Sequence, residues 1–445
     1  MKSVALHNLG CKVNAYEMDV MQQMLQEKGY QIVPFDKKAD IYIVNTCTVT
    51  NIADRKSRQM LHRAKKLNPD AVVVAVGCYV QNGTEAVETD ASIDLAIGNN
   101  RKKDLVQILE DYLENRQQGD TVIDIASTDE YEEMQLKETA EHTRAYIKIQ
   151  DGCNQFCTYC AIPLARGRVR SRKPERVIEE VRGLAKAGYH EIVLTGIHLS
   201  SYGLDFLGIR SADYRDACEK GYLLELIEAL ADIPGIERIR LGSLEPRIIT
   251  KEFVTRLSAC QKLCPHFHLS LQSGCDATLK RMNRHYDTAQ FEAGVRLLRE
   301  AFDRVAVTTD VIVGFPGETE EEFAQTVEFL DRIGFYEMHV FKYSKRAGTP
   351  AAAMKQQVPD QVKAKRSDIL LQMDEVKSRA YRENYLGEEV EILLEEEKEM
   401  NGICYTIGHT KDYVLAAVED SEPTNRFVTG RAEAFLTNDI LLLKK

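Results

Sequence analysis

Short apolar runs and amphipathic stretches take turns over the first hundred residues. SVALHNL has the length of a strand, and YEMDVMQQMLQEKG spaces its apolar residues as a helix does before Gly29 closes it. ADIYIVNT predicts a second strand and ADRKSRQMLHRAKKLNP a second helix, stopped by Pro69, while AVVVAVG and IDLAIG repeat the strand pattern. Strands alternating with helices predict an α/β domain over 1–115 built on a doubly wound parallel sheet. Residues 116–140 are polar, acidic and weakly patterned, and read as a linker with room for one short strand.

A longer alternation begins at residue 143. RAYIKIQ, HEIVLTG, RIRLGSL, HFHLSLQ, VAVTTDVIVG and EMHVFKY read as strands with helical segments between them. Six βα units over 141–375 suit an incomplete parallel barrel better than a closed eight-fold one. Residues 204–221 read as an insertion in the loop after its second strand. A charged helix near 355–385 leads to EVEILLEE, GICYTIGHT, YVLAAVE, FVTGRAEAFL and DILLLKK. These short strands with turn signals predict a small antiparallel β-barrel over 376–445.

With 445 residues the chain exceeds one ordinary core, in keeping with this division. It has no apolar run of 18 residues and no signal-peptide pattern, so a cytoplasmic location without membrane contact is expected. A formal net charge of −11 excludes a surface generally coated by nucleic acid. Any RNA partner must be met by local basic patches. Eleven cysteines in a reducing compartment point to metal or redox sites where they cluster.

Two groups of three stand out. Cys11, Cys47 and Cys78, in LGCKVN, NTCTVT and VGCYV, each follow the end of a predicted strand. The carboxyl ends of strands in an open parallel sheet share one ligand-binding edge, so these thiols should converge there. Cys153, Cys157 and Cys160 form C-x3-C-x2-C in the loop after the first barrel strand. Thiolates so spaced can hold three corners of a cubane iron–sulfur cluster and leave one iron open. A zinc site completed by His142 is the alternative that the spacing leaves. Cys218, Cys260, Cys264, Cys275 and Cys404 read as structural thiols.

With Tyr159 as its aromatic, C-x3-C-x-aromatic-C resembles the radical S-adenosylmethionine (SAM) signature. The three earlier cysteines and the terminal small barrel extend the resemblance to the methylthiotransferases over the whole chain. LTGIHLSSYG, GSLEP, LSLQSG and VIVGFPGET follow in family order. LGCKVNAYE and NTCTVTNIADRKSRQ are similar to the branch acting on threonylcarbamoyladenosine in tRNA. Isopentenyladenosine and a ribosomal-protein aspartate are the substrates of sister branches, and a noncatalytic iron–sulfur RNA-binding protein is the reading from another class.

The resemblance implies two 4Fe-4S clusters and SAM as cofactors. Cys153, Cys157 and Cys160 would hold the cluster that cleaves SAM to a 5′-deoxyadenosyl radical. Cys11, Cys47 and Cys78 would hold an auxiliary cluster that donates sulfur, methylated by a second SAM, to carbon 2 of the adenine at position 37 beside the anticodon. Tyr159, Thr195, Gly196, Ser243 and Glu245 would surround SAM, with Gln272 and Asp310 at the ends of strands four and five. An electron donor such as flavodoxin or ferredoxin is expected. For the tRNA anticodon loop, the expected contacts are Arg55, Arg58, Arg63 and Lys66 (with Lys56 and Lys65) on the helix after Cys47. Arg166, Arg168, Arg170 and Arg172 (with Lys173 and Arg176) after the second cysteine group are expected to join them, since arginine's planar fork suits phosphate. An exposed helix face also carries such charge with no ligand at all. The small barrel resembles the TRAM module, which binds tRNA in this family. Yet residues 381–445 carry 14 acidic and 7 basic side chains, a poor phosphate grip. Phe427, Tyr405 and Tyr413 are candidates for stacking on bases or for packing the barrel core.

Overall fold

The computed structural model describes residues 2–138, 143–419 and 421–445. Its amino-terminal layer contains β1 (Ser3–Asn8), α1 (Lys12–Glu27), β2 (Gln31–Val33), β3 (Ile41–Thr46), α2 (Asn51–Leu67), β4 (Val72–Gly77), α3 (Cys78–Asn82) and β5 (Leu95–Ile97). The strands pair in parallel in the order β2-β1-β3-β4-β5. β3 and β4 are buried at every residue, which is why they read as continuous apolar runs rather than alternating ones. β2 escapes the sequence pattern because it has only three residues.

The second layer has β6 (Ala145–Asp151), β7 (Arg170–Ser171), β8 (Glu191–Gly196), β9 (Arg238–Leu241), β10 (His266–His268), β11 (Ala306–Val313) and β12 (Glu337–Lys342). All but the short antiparallel β7 are parallel, in two hydrogen-bonded sets, β7-β6-β8-β9 and β10-β11-β12. Isolated parallel bridges Ile239–Leu263 and Leu244–Leu269 join the sets. No ladder joins β6 to β12 among the described residues, so the barrel is incomplete, and α1 packs against β6.

β13 (Glu389–Met400), β14 (Ile403–His409), β15 (Leu415–Glu419), β16 (Phe427–Phe435) and β17 (Leu441–Lys444) close into a small barrel in the order β13-β14-β15-β17-β16. The helix Asp360–Glu383 leads into it. Its β14–β15 turn plugs the amino end of the parallel barrel. Arg238 donates to the His409 carbonyl at 2.9 Å, and Arg240 to the Lys411 carbonyl at 2.8 Å. Tyr413 lies in that turn between the rings of His266 and His409, with centroids 4.7 and 4.5 Å away.

The segment expected to be a linker forms no strand among its described residues. It runs across both α/β layers, with Glu132, Met134 and Leu136 buried, and Leu136 N–H donates to Glu180 at 2.6 Å. No helix among the described residues is long and apolar enough to cross a membrane.

Candidate functional site

The first three cysteines sit where three adjacent strands end. Cys11 caps α1 after β1, Cys47 follows β3, and Cys78 opens α3 directly after β4. Their charges act on one another: burial, then the neighbouring Cys78 and Cys11, push the Cys47 thiol up to about 12. Cys153, Cys157 and Cys160 line the loop after β6. Gly152 enters it with φ +70°, and a Cβ there would stand 1.8 Å from the Arg168 carbonyl oxygen, so only glycine fits. Arg284 donates to the Cys157 sulfur at 3.1 Å, and burial pushes the Cys160 thiol up to about 12.

The donor sets discriminate between metals. Tetrahedral zinc would draw its sulfurs to about 3.8 Å of each other. Among the described residues neither cysteine trio gathers its ligand atoms within 4.8 Å; His268, Asp310 and His339 do. Burial raises the Cys11, Cys47, Cys153 and Cys160 thiols above their ordinary range, so a bound metal is what would turn them into thiolates. His142 lies outside the described residues.

Asn99 ties the first trio to the short helix Ile162–Arg166 that follows Cys160: it donates to the Cys78 sulfur at 3.5 Å and to the Ala165 carbonyl at 2.7 Å. Asn14 accepts from Arg166 at 2.7 Å and donates to the carbonyls of Leu9 and Thr46. Arg166 also reaches Glu17 at 2.9 Å and Asp151 at 3.1 Å, while Lys148 bridges the same two carboxylates at 2.7 and 2.6 Å. Lys102 completes the group on Glu17. Burial opposes ionisation of Glu17, but Arg166, Lys102 and Lys148 hold its carboxyl well below the usual range.

This network corrects the phosphate-binding expectation for Arg166, Arg170 and Arg172. All three are buried. Arg170 donates to the Arg166 carbonyl at 2.9 Å, and Arg172 is held by Glu133 at 2.7 Å and by Glu180. Buried and turned onto carboxylates and a carbonyl of this chain, they present no face to RNA. Arg168 is half-buried with its guanidinium over the Phe156 ring, 4.3 Å from the centroid. On α2, Arg55, Arg58, Arg63 and Lys66 are exposed, as are Lys173 and Arg176. Met60, Leu61, Ala64 and Leu67 face the sheet as read.

Thr195 is buried and Gly196 half-buried at the carboxyl end of β8, and Ser243 is exposed past β9. Glu245 is buried and paired with Arg247 at 3.0 Å. Tyr159 packs edge-on against Phe315. Gln272 lies past β10 at φ +72°, a strained value for a non-glycine residue. Asp310 falls within β11 rather than at its end, opposite His339 and 3.2 Å from the His268 ring nitrogen. None of the three aromatics expected to meet bases stands free: Tyr405 is in the small-barrel core, Tyr413 is stacked between histidines, and Phe427 lies under Arg238. Residue type alone missed Asn14, Glu17, Asn99 and Arg284. For Asn14 and Glu17 a signal existed in their spacing of three and six residues from Cys11, one helix face.

An incomplete parallel barrel with three cysteines after its first strand defines the radical SAM class. Residues 147–330 match the radical SAM superfamily, and residues 3–98 match Uncharacterized protein family UPF0004. The chain is 41% identical to threonylcarbamoyladenosine tRNA methylthiotransferase MtaB of Bacillus subtilis (strain 168), over 95% of this chain and 91% of that protein. It is 35% identical to tRNA-2-methylthio-N(6)-dimethylallyladenosine synthase of Acetivibrio thermocellus, over 92% and 84%. Among solved structures, the radical SAM methyltransferase TsrM of Kitasatospora setae superposes with TM-score 0.58 at 18% identity, covering 79% of this chain and 77% of that one. That likeness speaks for the fold alone. The chain belongs to the radical SAM methylthiotransferase family, enzymes that transfer a sulfur-containing group and use a 4Fe-4S cluster with SAM.

Glu17→Gln should cost about 3–5 kcal/mol at pH 7, because Arg166, Lys102 and Lys148 would lose a buried partner. A carboxyl held below its unfolded value near 4.3 stabilises above that pH, and the contribution fades as pH falls through the folded value. Urea unfolding should therefore show a large gap between variant and wild type at pH 7 that narrows below about pH 4. A gap independent of pH would remove the ionic account.

Proposed function

We propose that this enzyme methylthiolates carbon 2 of threonylcarbamoyladenosine at position 37 of tRNA, beside the anticodon. The supporting observation is the pair of cysteine trios on separate domains, with the domains joined beside them by Asn99 and by the Glu17–Arg166–Asp151 network. The substrate follows the relative at 41% identity rather than the dimethylallyladenosine enzyme at 35%. When bound, a cluster on Cys153, Cys157 and Cys160 supplies reductive cleavage of SAM, and one on Cys11, Cys47 and Cys78 supplies sulfur, for two SAM per product.

The chain's own residues do the positioning. Arg284 steadies the Cys157 sulfur, and Asn99 fixes Cys78 relative to the opposing loop. Thr195, Gly196, Ser243 and Glu245 lie on the carboxyl rim where SAM would bind, although the Arg247 pair leaves Glu245 less free to meet a ribose. The small barrel closes the amino end, so the adenine enters from the side left open by the incomplete sheet. Arg55, Arg58, Arg63 and Lys66 are the cations that remain for phosphates. A small reductant such as flavodoxin or ferredoxin supplies the electron.

Cys157→Ala should abolish 5′-deoxyadenosine release yet keep the amino-terminal cluster, whereas Cys47→Ala should release 5′-deoxyadenosine and yield no methylthiolated nucleoside. Mass spectrometry of tRNA digests together with iron analysis checks both. Product from the Cys47 variant would place the sulfur donor elsewhere.

Reversing Arg58, Arg63 and Lys66 to Glu should weaken tRNA binding and flatten its salt dependence, as fewer counterions are released. Uncoupled SAM cleavage should stay near wild type. Equal tRNA affinity across a salt series would make α2 a solvated face.

A further inference from the structure

Four polar side chains from three adjacent strands share the inner face of the barrel. Val307, Val311 and Met338 belong to the hydrophobic core outside it, so the two-residue period of a strand turns Thr308 and Asp310 on β11 and His339 on β12 inward. Asp310 lies directly across from His339 in the β11–β12 register, and His268 on β10 pairs with Thr308. The His268 ring stacks on that of His339 with centroids 5.6 Å apart, and its Nε2 stands 3.2 Å from the Asp310 carboxylate. One donor atom from each of His268, Asp310 and His339 lies within 4.8 Å of the other two.

Tetrahedral zinc, with bonds of about 2.0–2.1 Å, spaces its ligands about 3.3 Å apart, close to the 3.2 Å between His268 and Asp310. Among the described residues no lysine or arginine pairs with the Asp310 carboxylate, and the exposed His339 ring makes no hydrogen bond. The Thr308 hydroxyl lies 3.0 Å from His268 Nδ1, where it can accept that N–H and leave Nε2 its lone pair. Metal-bound histidines carry such outer support. Two imidazoles beside one carboxylate suit a divalent transition-metal ion rather than magnesium or calcium, which take oxygen shells. We propose that His268, Asp310 and His339 bind one divalent transition-metal ion inside the barrel, separate from both cysteine trios. Three protein ligands leave a fourth position for water, and exposure of His339 gives the ion a way in. An ion held there would occupy Asp310 and keep it from SAM.

The test uses wild-type, His339→Gln and Thr308→Val holoenzymes with both cysteine trios loaded with iron and other metal stripped by a chelator. Each is titrated anaerobically with zinc chloride, followed by calorimetry and by elemental analysis after desalting. Wild type should take up one zinc per chain. Thr308→Val should bind it about 10- to 100-fold more weakly, the usual effect of losing an outer-shell partner, and His339→Gln, which removes a ligand outright, more weakly still. Iron content should be the same in all three, which also shows that the variants fold. A wild type that takes up no zinc overturns the inference. Equal zinc affinity in His339→Gln and wild type does so too, since His268 and Asp310 would then form a plain hydrogen bond. Loss of iron together with zinc in His339→Gln likewise overturns it, because the histidine would then serve a cluster.

Discussion

Glu17 and Asp151, buried on opposite sides of a domain boundary, share the guanidinium of Arg166 and the ammonium of Lys148. The site depends on this contact. Glu17 lies on α1, which Cys11 caps, and Asp151 ends the strand that feeds Cys153, so the network sets the position of one trio against the other. Lys102, Lys148, Arg166 and Arg170 supply four positive charges, and Glu17, Asp151 and Glu132 at most three negative ones. One positive charge is left over beside Cys78, whose charge Arg166 feels. A cluster held by three thiolates is the kind of anion that would balance it.

The second fixed point is the plug at the amino end. Tyr413 adopts φ +76°, a left-handed value that costs a bulky residue about 1–3 kcal/mol. Stacking between two histidines beneath Arg144 and Arg240 offsets that strain. With this end closed, access to both trios is confined to the carboxyl rim and the open side.

The strands were legible because their apolar runs are long and bounded by turn residues; β2 was not, being too short to show a period. The cysteine trios were legible from placement after strands. The arginines were misread for a physical reason. A run of guanidiniums looks the same whether phosphate or carboxylate meets it, and one of the two carboxylates meeting Arg166, that of Glu17, lies 149 residues away in the chain. Glu17 in turn resembles any solvated charge on a helix until the second domain covers it. Asp310 was misplaced by strand length: β11 continues three residues beyond it to Val313.

α1 is where these constraints meet. Cys11, Asn14 and Glu17 recur every third residue, so they share one face of the helix. One guanidinium, that of Arg166, reads both Asn14 and Glu17 on this face. Tyr16, on the next face, donates to the Met134 carbonyl and to Glu180, tying the helix to the segment between the domains and to the second domain. A shift of α1 along its axis would therefore move the Cys11 thiol and break the domain lock together. Such coupling favours one rigid arrangement, in which the two cysteine trios are held at a fixed separation before any substrate arrives.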